Sequence, residues 1–145
     1  MPKSLLFILI GYCSGSLLFA QYFGRLFAKK DIAAASPDGN PGTFNAFRYG
    51  SFSCGALTLC CDVLKGFLPV FLYLQAAAGL NAAGAGLSFV LAAPVFGHIF
   101  PLFHHFKGGK GVAVSFGCLL GLLPEARPVM ILAAVFLFFS LAVNI

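Results

Sequence analysis

The sequence predicts an all-α integral membrane protein, and three observations carry that prediction. The 145-residue chain is 60% hydrophobic and only 9% charged, with a mean hydropathy of +0.97. A soluble domain carries about a quarter charged residues. The apolar residues gather in about five segments separated by polar loops, and six of the nine Lys and Arg fall in two Gly-rich loops. With so little polar surface, the bilayer must act as solvent for much of the chain, and helices satisfy their own backbone there. No linker or low-complexity tract divides it, so residues 1–145 read as one membrane-embedded domain.

The elements follow in order. Leu5 to Phe23 is long enough to cross a hydrocarbon core of about 30 Å. Lys3 precedes it, but no small-residue cleavage site follows, so it reads as a retained helix and not a signal peptide. Gly11-Tyr12-Cys13-Ser14-Gly15 is a small-xxx-small pattern that permits close helix packing, and Ser14 and Ser16 add hydroxyls for a neighbouring helix. Gly24 to Ser51 is a polar loop with the turn signal Asn40-Pro41-Gly42,. Phe52 to Gln75 is the second span, and it carries Asp62 and Lys65 three residues apart, on one helical face,. Ionisable groups in a span are paired or functional. Ion pairing within the helix and snorkelling of Lys65 are both open.

Ala76 to Ala83 is an uncharged loop, and Gly84 to Phe103 is a third span interrupted by Pro94. Val112 to Leu123 is apolar but spans only roughly 18 Å as a helix. It crosses the bilayer only if Gly108 to Gly111 begin the helix; otherwise it is a half-buried piece. Pro124-Glu125-Ala126-Arg127-Pro128 breaks it, and Val129 to Val143 is the last apolar segment before Asn144-Ile145.

Arg25, Lys29, Lys30, Arg48, Lys107 and Lys110 lie in the two loops Gly24–Ser51 and His104–Gly111, against Lys3 and Arg127 on the opposite side. The positive-inside rule then makes both loops cytoplasmic and the N-terminus external. Basic residues at membrane edges, not in a stripe on a soluble fold, argue against nucleic-acid binding. The five cysteines include no C-x-x-C pair. They read as small buried hydrophobes, with no metal site by spacing.

The stretch Phe106-Lys107-Gly108-Gly109-Lys110-Gly111 joins two cations to three glycines and no acid. Successive N–H groups in such a turn form an anion-binding nest. The first loop adds Gly39, Asn40, Gly42, Asn45 and Arg48, and Arg grips two phosphate oxygens at once. Two readings stand: a shared phosphate site, or the lysines and glycines that positive-inside turns require anyway. No Walker A motif occurs, which argues against nucleotide hydrolysis. His98, between Gly97 and Pro101, is either a general base near neutral pH or a helix–helix hydrogen-bonding residue.

Taken together, several blocks resemble one family. They are Gly15-Ser16 with Arg25, Gly39-Asn40-Pro41-Gly42-x-x-Asn45-x-x-Arg48, Asp62-Val63-Leu64-Lys65-Gly66, Gly97-His98-Ile99-Phe100-Pro101 and Phe106-Lys107-Gly108-Gly109-Lys110-Gly111-Val112-Ala113. In this order and spacing, from about Ile8 to about Leu123, the chain is similar to the bacterial acyl-phosphate-dependent glycerol-3-phosphate acyltransferases, the PlsY family. The resemblance implies a cytoplasmic-membrane enzyme. It would transfer an acyl group from acyl phosphate to the 1-hydroxyl of glycerol 3-phosphate, giving lysophosphatidic acid, with no metal or organic cofactor. His98, Lys110 and Ser16 would be catalytic. Gly39, Asn40, Gly42, Asn45, Arg48, Lys107, Gly108, Gly109, Lys110 and Gly111 would bind substrate phosphate, with Asp62 and Lys65 in support. The glycerol proton would go to a substrate phosphate or to His98. The implied partners are acyl phosphate, glycerol 3-phosphate and membrane lipid, with oligomeric state open.

The chain departs from the family pattern in two places of the first loop. Where the family has Ser-Gly-Asn-Pro-Gly-Ala-Thr-Asn, this chain has Asp38 for the serine and Phe44 for the threonine. Asp38 should oppose a phosphate unless it turns away or pairs with a lysine. The family also continues through further membrane segments, so a shortened chain is expected. The alternative expectation is an inactive short homologue that binds anionic lipid or conducts anions through the same loops.

Overall fold

The computed structural model describes residues 3–79, 81 and 83–143, so residues 80 and 82 of the loop expected at Ala76–Ala83 and the terminal Asn144-Ile145 lie outside the described residues. All regular structure among them is helical. Helix α1 (Lys3–Gly15) breaks at Ser16–Leu18 and resumes as α2 (Phe19–Phe23), which widens into a π-helical turn over Gly24–Ala28. Two short helices follow in the first loop: α3 (Ile32–Ala35) and α4 (Thr43–Asn45), the latter continued by a second π-helical turn, Ala46–Gly50. Then come α5 (Phe52–Ala76), α6 (Gly86–Ile99), a 3-10 turn at Leu102–His104, α7 (Val112–Leu120) and α8 (Arg127–Ala142).

Three stretches are long and apolar enough to cross a membrane: Lys3–Ala28, Phe52–Ala76 and Gly86–His104, each with mean hydropathy 1.7. The 16-residue α8 is shorter. The nine-residue α7 begins only after Gly111, so Gly108 to Gly111 do not extend it.

Glycine decides which helices touch. A Cβ on Gly15 of α1 would overlap the Pro94 carbonyl of α6, and one on Gly97 of α6 would overlap the Tyr12 carbonyl of α1. The same happens between α5 and α7, where Gly66 faces the Val114 carbonyl and Gly117 faces that of Val63. These are small-residue seams of the kind that hold helices together where lipid removes the hydrophobic drive. Val70, Tyr73, Leu74, Val90, Val114, Cys118 and Leu122 fill the space between the two pairs. The Tyr73 hydroxyl donates to Ala83 O at 2.7 Å. Leu and Phe side chains cover the outside, as a lipid-facing surface requires. Helix α8 buries no residue and meets α7 through an edge-on Phe116–Phe136 pair, centroids 6.0 Å apart.

The chain path brings the loops to one end. At the other end Lys3 Nζ donates to Ala76 O at 2.9 Å. The first loop is anchored by a small cluster of Ala20, Ile32, Ala46 and Cys54. Asp31 caps α3 by accepting from Ala34 N at 3.0 Å. The Gln21 side chain holds the same corner, donating to Asp31 at 2.9 Å and accepting from Ile32 N at 3.0 Å. The Ala34 N–H is the main reason the Asp31 carboxyl lies below its ordinary range. Ser51 caps α5 through Cys54 N at 3.2 Å.

Candidate functional site

Lys110 and Asp38 join the two Gly-rich loops. Their side chains pair at 3.0 Å although 72 residues separate them. Asp38 does not turn away: its other oxygen accepts from Asn45 Nδ2 at 2.8 Å and from Asn40 N at 3.3 Å. The Lys110 ammonium is the leading reason the Asp38 carboxyl is held down at about 2, with the Asn45 amide second. Asn45, buried, also donates to Asn40 O at 2.9 Å and so closes the turn around Pro41.

The second loop folds back on the end of α6. Phe106 N donates to Pro101 O at 3.0 Å, Lys107 N to His104 O at 3.1 Å and Gly109 N to His98 O at 3.0 Å. Two glycines here are required by close approach. A Cβ on Gly108 would strike the His98 and Ile99 carbonyls, and one on Gly109 would strike His98 Nε2 and crowd Asn40 Oδ1. Gly111, at φ +75°, turns the chain into α7. The N–H groups of Gly108, Lys110 and Gly111 find no acceptor among the described residues. They adjoin the N-terminus of α7, where unpaired N–H groups and the helix dipole favour an anion.

Beneath the loops lies a buried polar cluster. Lys65 of α5 is 5% exposed, Asp62 1% and His98 of α6 3%. Lys65 Nζ sits 2.8 Å from Asp62 Oδ1, the i,i+3 pair. Nζ is also 2.9 Å from His98 Nδ1 and bonded to Leu17 O in the break between α1 and α2. Thus Lys65 does not snorkel. The Asp62 Oδ1 contact is charge-to-charge without hydrogen-bond alignment, while Asp62 Oδ2 accepts from Thr43 Oγ1 at 3.3 Å. The Phe19 ring lies 5.5 Å from Nζ.

The remaining expected residues are less closely gathered. Ser16 is fully buried; its hydroxyl donates to Tyr12 O at 2.8 Å and accepts from Leu102 N at 3.2 Å, tying the α1 break to the turn before the second loop. Gly39 is exposed at φ +61°. Gly42 faces the Asn40 side chain. Arg48 lies exposed in the second π-helical turn, its guanidinium 5.7 Å from the Tyr49 ring. Lys107 is also exposed. Neither pairs with an acid among the described residues. Thr43 and the Leu17 carbonyl were not expected. The signal for Thr43 was the hydroxyl displaced by one position, from the family's threonine at Phe44 to its alanine at Thr43. Phe44 itself is 69% exposed.

Fold and site together define a multi-pass helical membrane protein in which two Gly-rich loops meet through Lys110 and Asp38. Residues 5–145 match the family described as glycerol-3-phosphate acyltransferase, and the chain belongs to that family. It is 42% identical over 118 residues to the glycerol-3-phosphate acyltransferase of Photobacterium profundum, covering 81% of this chain and 56% of the relative. It is also 42% identical over 130 residues to that of Pseudomonas paraeruginosa, covering 89% and 64%. The chain therefore spans little more than half the length of the first of these.

Its backbone matches a solved structure of PlsY (YgiH), an integral membrane glycerol 3-phosphate acyltransferase, in its glycerol 3-phosphate form. The TM-score is 0.80 at 30% identity, over 95% of this chain and 66% of that one. The lysophosphatidic acid form matches at TM-score 0.73 and 28% identity, over 96% and 76%.

Proposed function

We propose that this chain carries out the transfer of an acyl group from acyl phosphate to the 1-hydroxyl of glycerol 3-phosphate, releasing lysophosphatidic acid and phosphate. The observation that carries the reading is the meeting of the two loops at Lys110–Asp38, beside the N–H groups of Gly108, Lys110 and Gly111, which have no acceptor among the described residues. The family and the two PlsY structures support the substrate class.

The chemistry suits these residues. Acyl phosphate is an activated donor, so no enzyme nucleophile is needed. The hydroxyl oxygen bonds to the acyl carbon, the carbon–oxygen bond to phosphate breaks, and the hydroxyl proton leaves with a phosphate oxygen. The site has to hold two anions side by side and align hydroxyl with carbonyl. Arg48, Lys107, Lys110 and the loop N–H groups supply the positive field, which also stabilises the tetrahedral oxyanion. Gly39, Asn40, Gly42 and Asn45 shape the first loop around it, and Ser16 fixes the turn at Leu102.

The loops face the cytoplasm and the N-terminus lies outside the bacterial cytoplasmic membrane; the charge asymmetry of the loops supports this. Trypsin should therefore cut at Lys29 or Lys30 in inside-out vesicles only, and cleavage in right-side-out vesicles alone would reverse the topology.

The direct experiment supplies membranes containing the protein with acyl phosphate and labelled glycerol 3-phosphate. Labelled lysophosphatidic acid that disappears in Lys110→Ala at equal protein level is the expected result. No product from well-inserted protein overturns the proposal for this chain.

A further inference from the structure

An ammonium has three donors and no acceptor, and Lys65 Nζ has three neighbours: Asp62 Oδ1, Leu17 O and His98 Nδ1. The first two can only accept. Asp62 Oδ1 compensates the charge without hydrogen-bond alignment, so the ammonium's hydrogen bonds go to Leu17 O and His98 Nδ1. A charged ammonium has no lone pair to offer, so His98 Nδ1 accepts through its own. In a neutral imidazole the proton then resides on the other nitrogen, Nε2. Nε2 has no partner among the described residues and lies against Gly109, 2.3 Å from where a Cβ there would sit.

We propose that Lys65 is a positioning residue for His98. Its ammonium takes the Nδ1 lone pair, so His98 presents Nε2–H to the Gly-rich loop as a hydrogen-bond donor and not as a base. Asp62 holds the ammonium in place, and Thr43 orients Asp62 from the first loop. The donor faces the loop in which the Gly108, Lys110 and Gly111 N–H groups have no acceptor among the described residues, so its ligand is an anionic oxygen: a phosphate oxygen or the oxyanion formed on the acyl carbon. The glycerol proton then goes to a substrate phosphate. That last step rests on the acyl-transfer reading; the tautomer does not.

The test is 15N NMR of the full chain in lipid nanodiscs with labelled histidine, the His98 signals assigned by their loss in His98→Gln. The expected spectrum has an unprotonated Nδ1 and a protonated Nε2 before any ligand is added. A ring protonated on Nδ1, or on both nitrogens, overturns the proposal on the wild-type protein alone. In folded Lys65→Met the single tautomer should give way to a mixture, and an unchanged tautomer there would show that Lys65 does not set it. Inorganic phosphate or glycerol 3-phosphate should then shift the Nε2 resonance in the wild type. A correct tautomer with no shift from either anion retains the Lys65 role but removes Nε2 from the anion site. A shift from phosphate without acyl-transfer activity leaves the inference standing and counts against the acyltransferase reading.

Discussion

Removing both members of the Asp62–Lys65 pair should destabilise the protein by clearly less than the two single removals added together. At 2.8 Å and an effective dielectric near 20, the attraction is about 6 kcal/mol before desolvation is subtracted. Both groups are almost fully buried, so each single substitution strands a charge. The cost of breaking such a pair is about 3–5 kcal/mol. Lys65→Met also leaves Leu17 O and His98 Nδ1 without a donor, at about 1–3 kcal/mol for a buried group, and should be the worse single variant. The double variant Asp62→Leu/Lys65→Met strands no charge. Its loss should fall short of the sum of the singles by more than about 2 kcal/mol. Equilibrium unfolding in mixed micelles, followed by circular dichroism, gives all four corners of the cycle. Additive losses, or single losses below about 1 kcal/mol, would refute the claim that the two charges depend on each other in the folded protein.

Other substitutions probe the loops and the seams. Gly109→Ala places a methyl against His98 Nε2 and Asn40 Oδ1; overpacking of roughly 1–3 kcal/mol should cut acyl transfer by about tenfold or more. Gly39→Ala meets nothing within 4 Å and pays only backbone strain of about 1–2 kcal/mol, so the same assay should show a smaller loss. Asp38→Asn frees Lys110 from an exposed pair, and the KM for glycerol 3-phosphate should fall by about two- to fivefold, as expected from exposed ion pairs. Because the Asp38 carboxyl is lowered from 3.8 to about 2, its tie to Lys110 is fully present above about pH 4 and is lost as pH falls toward 2. The wild-type to Asp38→Asn difference in KM should therefore stay constant between about pH 5 and pH 8. Gly15→Ala drives a methyl into the Pro94 carbonyl and should lower unfolding stability by roughly 1–3 kcal/mol in micelles.

The spans were legible because hydropathy reports on burial in lipid directly. Phe52–Gln75 differs from α5 by one residue at its end. The break at Ser16–Leu18 was not legible, since nothing in that apolar run signals a helix stop; the Ser16 hydroxyl and the Leu17 carbonyl are used across the fold instead. The glycine pattern at Gly11 and Gly15 gave the existence of a close seam but not its partner, because α6 is distant in sequence. In the second loop composition offered an anion site as one of two readings, and the spacing of Asp62 and Lys65 put them on one helical face but left pairing and snorkelling open until the fold showed the pair. The role of Asp38 required the fold, because only the meeting of loops 72 residues apart shows which lysine it engages. His98 was equally ambiguous: a donor and a base have the same letter, and the choice depends on a nitrogen of Lys65 supplied by another helix.

That ammonium also bears on the order in which the chain enters the bilayer. Helix α5 is synthesised before α6, so Lys65 has no His98 to meet when it first leaves water. Its charge partner, however, is on its own helix, one turn earlier, and the Leu17 carbonyl has already been made. The helix can thus be delivered to lipid with its charge already compensated. The imidazole arrives last, as the third neighbour, and its arrival marks the point at which α6 has docked.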